Sequence, residues 1–154
     1  MLAEAVRQEI QALISKYPQK RSALIPSLWL AQRDAGFLAP DIVQEIATVF
    51  SVTPNEVYEV ISFYTMFHKK PVGKYVLQVC TNLSCQLCNA EELVEHLTRK
   101  LGIKLGETTP DGKYTLLEVE CLGSCGTSPV IQINDDYYEN LTPEKIDRIL
   151  DGLK

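Results

Sequence analysis

From Leu2 to about Tyr64 the apolar residues recur three and four positions apart, the period of amphipathic helices. Val6, Ile10, Leu13 and Ile14 form the stripe of a first helix, which Tyr17-Pro18 ends because proline disfavours a helical residue before it. A second helix runs from about Ser22 towards Ala35 and stops at Gly36. Its Pro26 is tolerated only in the first turn, which moves the start towards Leu24 or Ile25. Asp41 to Phe50 carries Ile42, Ile46 and Val49 on one stripe of a third. The fourth opens on Thr53 as N-cap, Pro54 in the first helical position and Glu56 three residues after the cap, a pattern that satisfies unpaired amides reciprocally. The stretch Thr65 to Gly73 then reads as a linker, with Pro71 and Gly73 closing it.

Beyond the linker the period changes. Lys74 to Val79, Tyr114 to Val119 and Val130 to Ile133 are rich in strand formers, and Tyr137-Tyr138 begins a last short strand after the turn Asn134-Asp135-Asp136. A helix from about Ala90 to Leu101 presents Leu93, Val94, Leu97 and Leu101, and Thr142-Pro143-Glu144 caps a final one to about Leu150. The strand-helix-strand unit implies a right-handed parallel crossover, and the closely spaced last strands imply an antiparallel hairpin. The pattern therefore predicts an α+β chain (α/β in its second half). Residues 1–70 form an N-terminal helical bundle, and residues 71–154 form a thioredoxin-like four-stranded mixed sheet with two helices.

The totals narrow what such a chain does. A net charge of -5 disfavours phosphate backbones as ligands, so no nucleic acid is expected. No segment approaches the ~20 consecutive apolar residues of a membrane span, so membrane association is expected only through a partner. Glu4 and Glu9 interrupt the N-terminal segment, which resembles neither a signal peptide nor an acid-poor transit sequence, and the expected compartment is reducing cytosol. Five cysteines in that setting point to metal ligands or redox thiols rather than to a disulfide framework.

Four of them form two similar pairs. Cys80 ends the first strand with Cys85 in the loop beyond it, and Cys121 ends the second strand with Cys125 beyond it. Parallel neighbouring strands bring both loops to one end of the sheet, so four thiols converge. Buried structural cysteines explain one or two such residues, but not two pairs that each begin at a strand terminus. Gly123 and Gly126 allow the left-handed turns that would aim backbone amides at bound sulfur.

The fifth thiol competes. Cys85 and Cys88 make a C-x2-C knuckle of the kind structural zinc uses; Cys80, Cys85 and Cys88 reproduce the C-x4-C-x2-C run of plant-type ferredoxins; and Cys85 with Cys88 alone mimics the working pair of a thiol-disulfide oxidoreductase. Cys88 lies where the following helix begins, so its direction is set by that helix, and it is left out of the ligand set. A thiol oxidoreductase would also leave Cys121 and Cys125 idle. The metal itself stays open on spacing alone. Other chemistry is sparse. His68 falls in the linker and His96 on a helix face with Glu92 and Arg99, both read as solvated or partner-facing. Neither G-x-G-x-x-G nor a P-loop occurs, so no catalytic residue and no nicotinamide or flavin site of those kinds is assigned to this chain. Phe63, Tyr64 and Phe67 read as helix core, with any exposed member available for docking.

Cys80 to Cys85 (C-T-N-L-S-C), Cys121 to Val130 (C-L-G-S-C-G-T-S-P-V), Asn134 to Tyr138 (N-D-D-Y-Y) and Ser62 to Phe67 (S-F-Y-T-M-F) resemble the thioredoxin-like [2Fe-2S] small subunit of respiratory NADH:quinone oxidoreductase, complex I. The resemblance spans nearly the whole chain. It implies one [2Fe-2S] cluster on Cys80, Cys85, Cys121 and Cys125, and an electron-transfer rather than a hydride-transferring role. FMN and NAD(H) are then on the partner subunit, against which the helical half docks, in a peripheral arm at the cytoplasmic side of the inner membrane. Cys88 is outside the family pattern, and Asn89 stands where members commonly have glycine. The small diaphorase subunit of an NAD-linked hydrogenase or formate dehydrogenase resembles the chain in the same motifs.

Overall fold

The structure is a computed structural model describing residues 1–153. Its chain divides into two compact units, Met1–Pro71 and Val72–Lys154.

The first unit is built from α1 (Glu4–Ile14), α2 (Leu24–Ala35), α3 (Pro40–Phe50) and α4 (Pro54–Phe63), with a single 3-10 turn, Lys20–Ala23, leading into α2. That turn absorbs the residues before Pro26, so α2 begins at Leu24. Gly36 ends α2 at φ 79°, a left-handed conformation that a Cβ would strain. The Thr53–Glu56 capping box of α4 is complete. Ile10, Leu28, Ile46 and Ile61, one from each helix, are fully buried in a shared core. At roughly 1.5–3 kcal/mol per buried aliphatic side chain, such contacts hold together helices too short to be stable alone. The expected linker is partly structured. Buried Gln32 donates to Met66 O at 2.9 Å and accepts from His68 N at 2.6 Å, tying that segment to α2.

The second unit is a four-stranded mixed sheet in the order β2-β1-β3-β4, made from β1 (Tyr75–Cys80), β2 (Tyr114–Val119), β3 (Ile131–Ile133) and β4 (Asp136–Tyr138). Strand β1 lies parallel to β2 and antiparallel to β3, and β3 and β4 form the hairpin. Three helices accompany it rather than two: α5 (Leu83–Leu87), α6 (Ala90–Leu101) and α7 (Pro143–Gly152). Leu77, Leu93, Leu97, Leu116, Ile131 and Ile146 interlock strands and helices in one core. The additional helix, α5, occupies what the sequence pattern shows as a loop. At five residues it is too short for apolar periodicity to register, although Asn82 is an N-cap residue type and its side chain accepts from Leu83 N at 2.8 Å. No helix of the described residues is long and apolar enough to cross a membrane.

Candidate metal centre

Cys80 is the last residue of β1, and the parallel register sets it beside Val119, the last residue of β2. Cys121 is therefore beyond the end of β2, not at its terminus. The two cysteine segments still leave the sheet at the same end, because the strands that carry them run side by side in the same direction.

Beyond that end the pairs differ. Cys80 and Cys85 are buried, 2% and 1% exposed, and pack with Ala90 and Val130. Cys85 is on α5, not in a flexible loop. Cys121 and Cys125 are exposed, with their sulfurs 4.0 Å apart. With metal–sulfur bonds of about 2.3 Å, two thiolates on one tetrahedral metal stand roughly 3.8 Å apart, so this separation suits a shared metal atom. The Cys125 thiol is pushed above its ordinary range, chiefly by its hydrogen bond to Cys121 and the charge of that neighbour, with Ser84 opposing and Cys80 adding to the rise. Two thiols this close resist ionising together, and a bound cation reverses that balance and takes both as thiolates. The two segments converge at Ser128, whose hydroxyl is hydrogen-bonded to both Cys85 Sγ and Cys125 O.

Backbone and hydroxyl groups complete the surroundings. Gly123 is left-handed, at φ 74°, and its amide donates to Cys121 Sγ at 3.3 Å. Gly126 is not left-handed, and among the described residues no bond joins it to a sulfur, which corrects the expectation that both glycines serve this purpose. Ser128 precedes Pro129 through a cis peptide bond. Its hydroxyl accepts from Cys85 Sγ at 3.4 Å and donates to Cys125 O at 3.0 Å, linking the two segments. In the sequence Ser128 is only one residue of the stretch Cys121 to Val130. Its hydroxyl matters because the fold brings it between the segments, which no spacing rule reveals.

The remaining candidates fall elsewhere. Cys88 is the C-cap of α5 and exposed, so it faces different surroundings from buried Cys85. Asn89 sits at φ 66°, a conformation asparagine tolerates better than most residues. His96 is not free in solvent, since its Nε2 lies 2.8 Å from Asp147 Oδ1 on α7. His68 is half-buried, and desolvation lowers its pKa. Of the three aromatics read as core only Phe67 is buried, while Phe63 and Tyr64 are 79% and 36% exposed. Among the described residues no three His, Cys, Asp or Glu side chains stand close enough to share one metal ion. A two-iron cluster asks each metal atom to take only two thiolates, and the donor set of two thiol pairs fits it.

Residues 10–154 match the family described as thioredoxin-like [2Fe-2S] ferredoxin. The chain belongs to this family. It is 46% identical over 149 residues to a subunit of NADH-quinone oxidoreductase from Rhizobium meliloti (strain 1021), covering 97% of this chain and 89% of that protein. It is 48% identical over 147 residues to a subunit of NADH-quinone oxidoreductase from Rickettsia conorii (strain ATCC VR-613 / Malish 7), covering 94% and 88%. A solved NAD+-reducing [NiFe]-hydrogenase in the H2-reduced state superposes with a TM-score of 0.74 at 24% identity, over 83% of this chain and 21% of the hydrogenase chain. That likeness is one of fold.

Proposed function

We propose that the chain is an electron-transfer subunit of an NADH:quinone oxidoreductase, holding one [2Fe-2S] cluster on Cys80, Cys85, Cys121 and Cys125. The observation that carries the reading is that the two cysteine segments leave β1 and β2 at the same end of the sheet, with the Ser128 hydroxyl bonded to both Cys85 Sγ and Cys125 O. Membership of a [2Fe-2S] ferredoxin family and two relatives named as subunits of that oxidoreductase support it. When bound, the cluster supplies one-electron storage and release.

The chain's own residues divide the remaining work. The four cysteines lose their protons on binding iron, and buried Cys80 and Cys85 keep water from one side of the centre. The Gly123 amide, already directed at Cys121 Sγ, opposes the negative charge that four thiolates gather. The resemblance of the cysteine motifs assigns FMN and NAD(H) to a partner subunit. Exposed Trp29, Phe63 and Tyr64 on the helical unit support docking of that partner through the N-terminal half. The complex would then hold the chain at the cytoplasmic side of the inner membrane.

Iron and acid-labile sulfide content of anaerobically purified protein tests the reading, with EPR after dithionite. Two irons and two sulfides per chain are expected, together with co-purification of a flavin subunit. Colourless protein with stoichiometric zinc would refute it. A second reading, the same role in an NAD-linked hydrogenase, rests on the cysteine motifs that such subunits resemble in sequence. A co-purifying nickel subunit in place of a quinone-reducing complex would establish that alternative.

A further inference from the structure

The exposed cysteine pair is joined to the rest of the sheet unit by side chains arriving from β4 and the residues just after it. Tyr137 Oη donates to Leu122 O at 3.1 Å. The Glu139 carboxylate accepts from the Thr127 hydroxyl at 2.7 Å and, on the same oxygen, from the Ser124 hydroxyl. Ser124 and Thr127 flank Cys125. Asn140 N donates to Thr127 O at 2.8 Å, and Lys145 Nζ on α7 donates to Glu139 O at 2.5 Å, so the clamp is itself anchored. Those two hydroxyl bonds keep the Glu139 carboxyl below its ordinary range.

The consequence is both mechanical and electrostatic. Glu139 fixes the residues on either side of Cys125 without touching a thiol. Thr127 Oγ1 also lies 2.7 Å from Ser124 Oγ and 3.1 Å from Ser124 O, so hydroxyls and carboxylate form one network, and Glu139 sets a negative charge beside the loop that the Lys145 ammonium opposes only in part. Reduction adds negative charge to the centre, which a neighbouring anion opposes.

We infer that Glu139 is a positioning residue for the exposed cysteine pair, acting through Ser124 and Thr127, and that its charge lowers the reduction potential of the centre. The inference rests on the ligand set proposed above. Glu139→Gln keeps an oxygen that accepts from both hydroxyls and removes only the charge. Its iron and sulfide content should equal the wild type, while an EPR-monitored redox titration finds the reduced-to-oxidised ratio at the wild-type midpoint raised about tenfold, which is about 59 mV for one electron. Glu139→Leu removes the acceptor as well. It should give a broadened, heterogeneous EPR signal and release iron to a chelator about tenfold faster, and Glu139→Gln should restore the wild-type release rate.

An unchanged midpoint in Glu139→Gln overturns the electrostatic role. Unchanged line shape and iron release in Glu139→Leu overturn the positioning role. Wild-type protein without iron removes the ligand reading and this inference together, whereas wild-type protein with two irons and unaltered variants removes this inference alone.

Discussion

Cys80 and Cys85 are buried in regular structure, one ending a central strand and the other on a helix, whereas Cys121 and Cys125 stand exposed in a segment that hydrogen bonds from β4 and its neighbours hold in place. The first pair owes its position to the hydrophobic core, because Ala90 and Val130 pack directly against it. The second is held by Leu122, which packs against that same cluster, and by polar contacts that individually contribute about 0.5–1.5 kcal/mol. One end of the sheet thus presents a buried half-site beside an exposed one, and the exposed half is the one on which the Glu139 clamp acts.

The largest expected effect treats both halves alike. Cys85→Ser and Cys125→Ser should each abolish or severely alter the visible absorption and EPR signal, and a normal two-iron spectrum from either variant would break the assignment of that half. Metal-free stability should then separate them. Cys80→Ser places a hydroxyl in an apolar nest and is expected to cost about 1–3 kcal/mol in urea denaturation, while Cys125→Ser at an exposed site should stay within roughly 0.5 kcal/mol. Equal losses would show that burial does not distinguish the pairs. Next, Tyr137→Phe deletes the bond to Leu122 O. About 1 kcal/mol is the expected loss, with faster amide exchange confined to the segment around Cys121. Spread of that exchange to α5 would mean the two halves move as one. The smallest effect belongs to Cys88→Ser, which should leave iron content, EPR spectrum and stability as they are. Cluster loss in this variant, with Cys125→Ser intact, would replace the proposed ligand set.

Much of this arrangement is legible in the chain. The Thr53-Pro54-Glu56 start of α4, the stop at Gly36 and the full span Tyr114–Val119 of β2 follow from local rules, because capping, left-handed turns and strand propensity act over a few residues. The parallel pairing of β1 with β2 follows from the intervening helix. What local rules miss depends on distant partners. His96 reads as solvated until α7 brings Asp147 to it. Phe63 and Tyr64 carry the same apolar signal as Phe67, but of the three only Phe67 packs into the helical core. Tyr137 and Glu139 look like the exposed residues of a hairpin until the cysteine segment lies against them.

The order of the strands and of the longer helices, the Thr53 and Thr142 caps and the two cysteine spacings were determined by the sequence alone, since each depends on neighbours within a turn or a strand. Tertiary structure decided which thiols are dry, which hydroxyl bridges the segments and which carboxylate clamps the loop. Those are matters of packing between residues 12 to 43 positions apart, such as Thr127 with Glu139 and Cys85 with Ser128, and burial and hydrogen bonding exist only once the chain has brought them together.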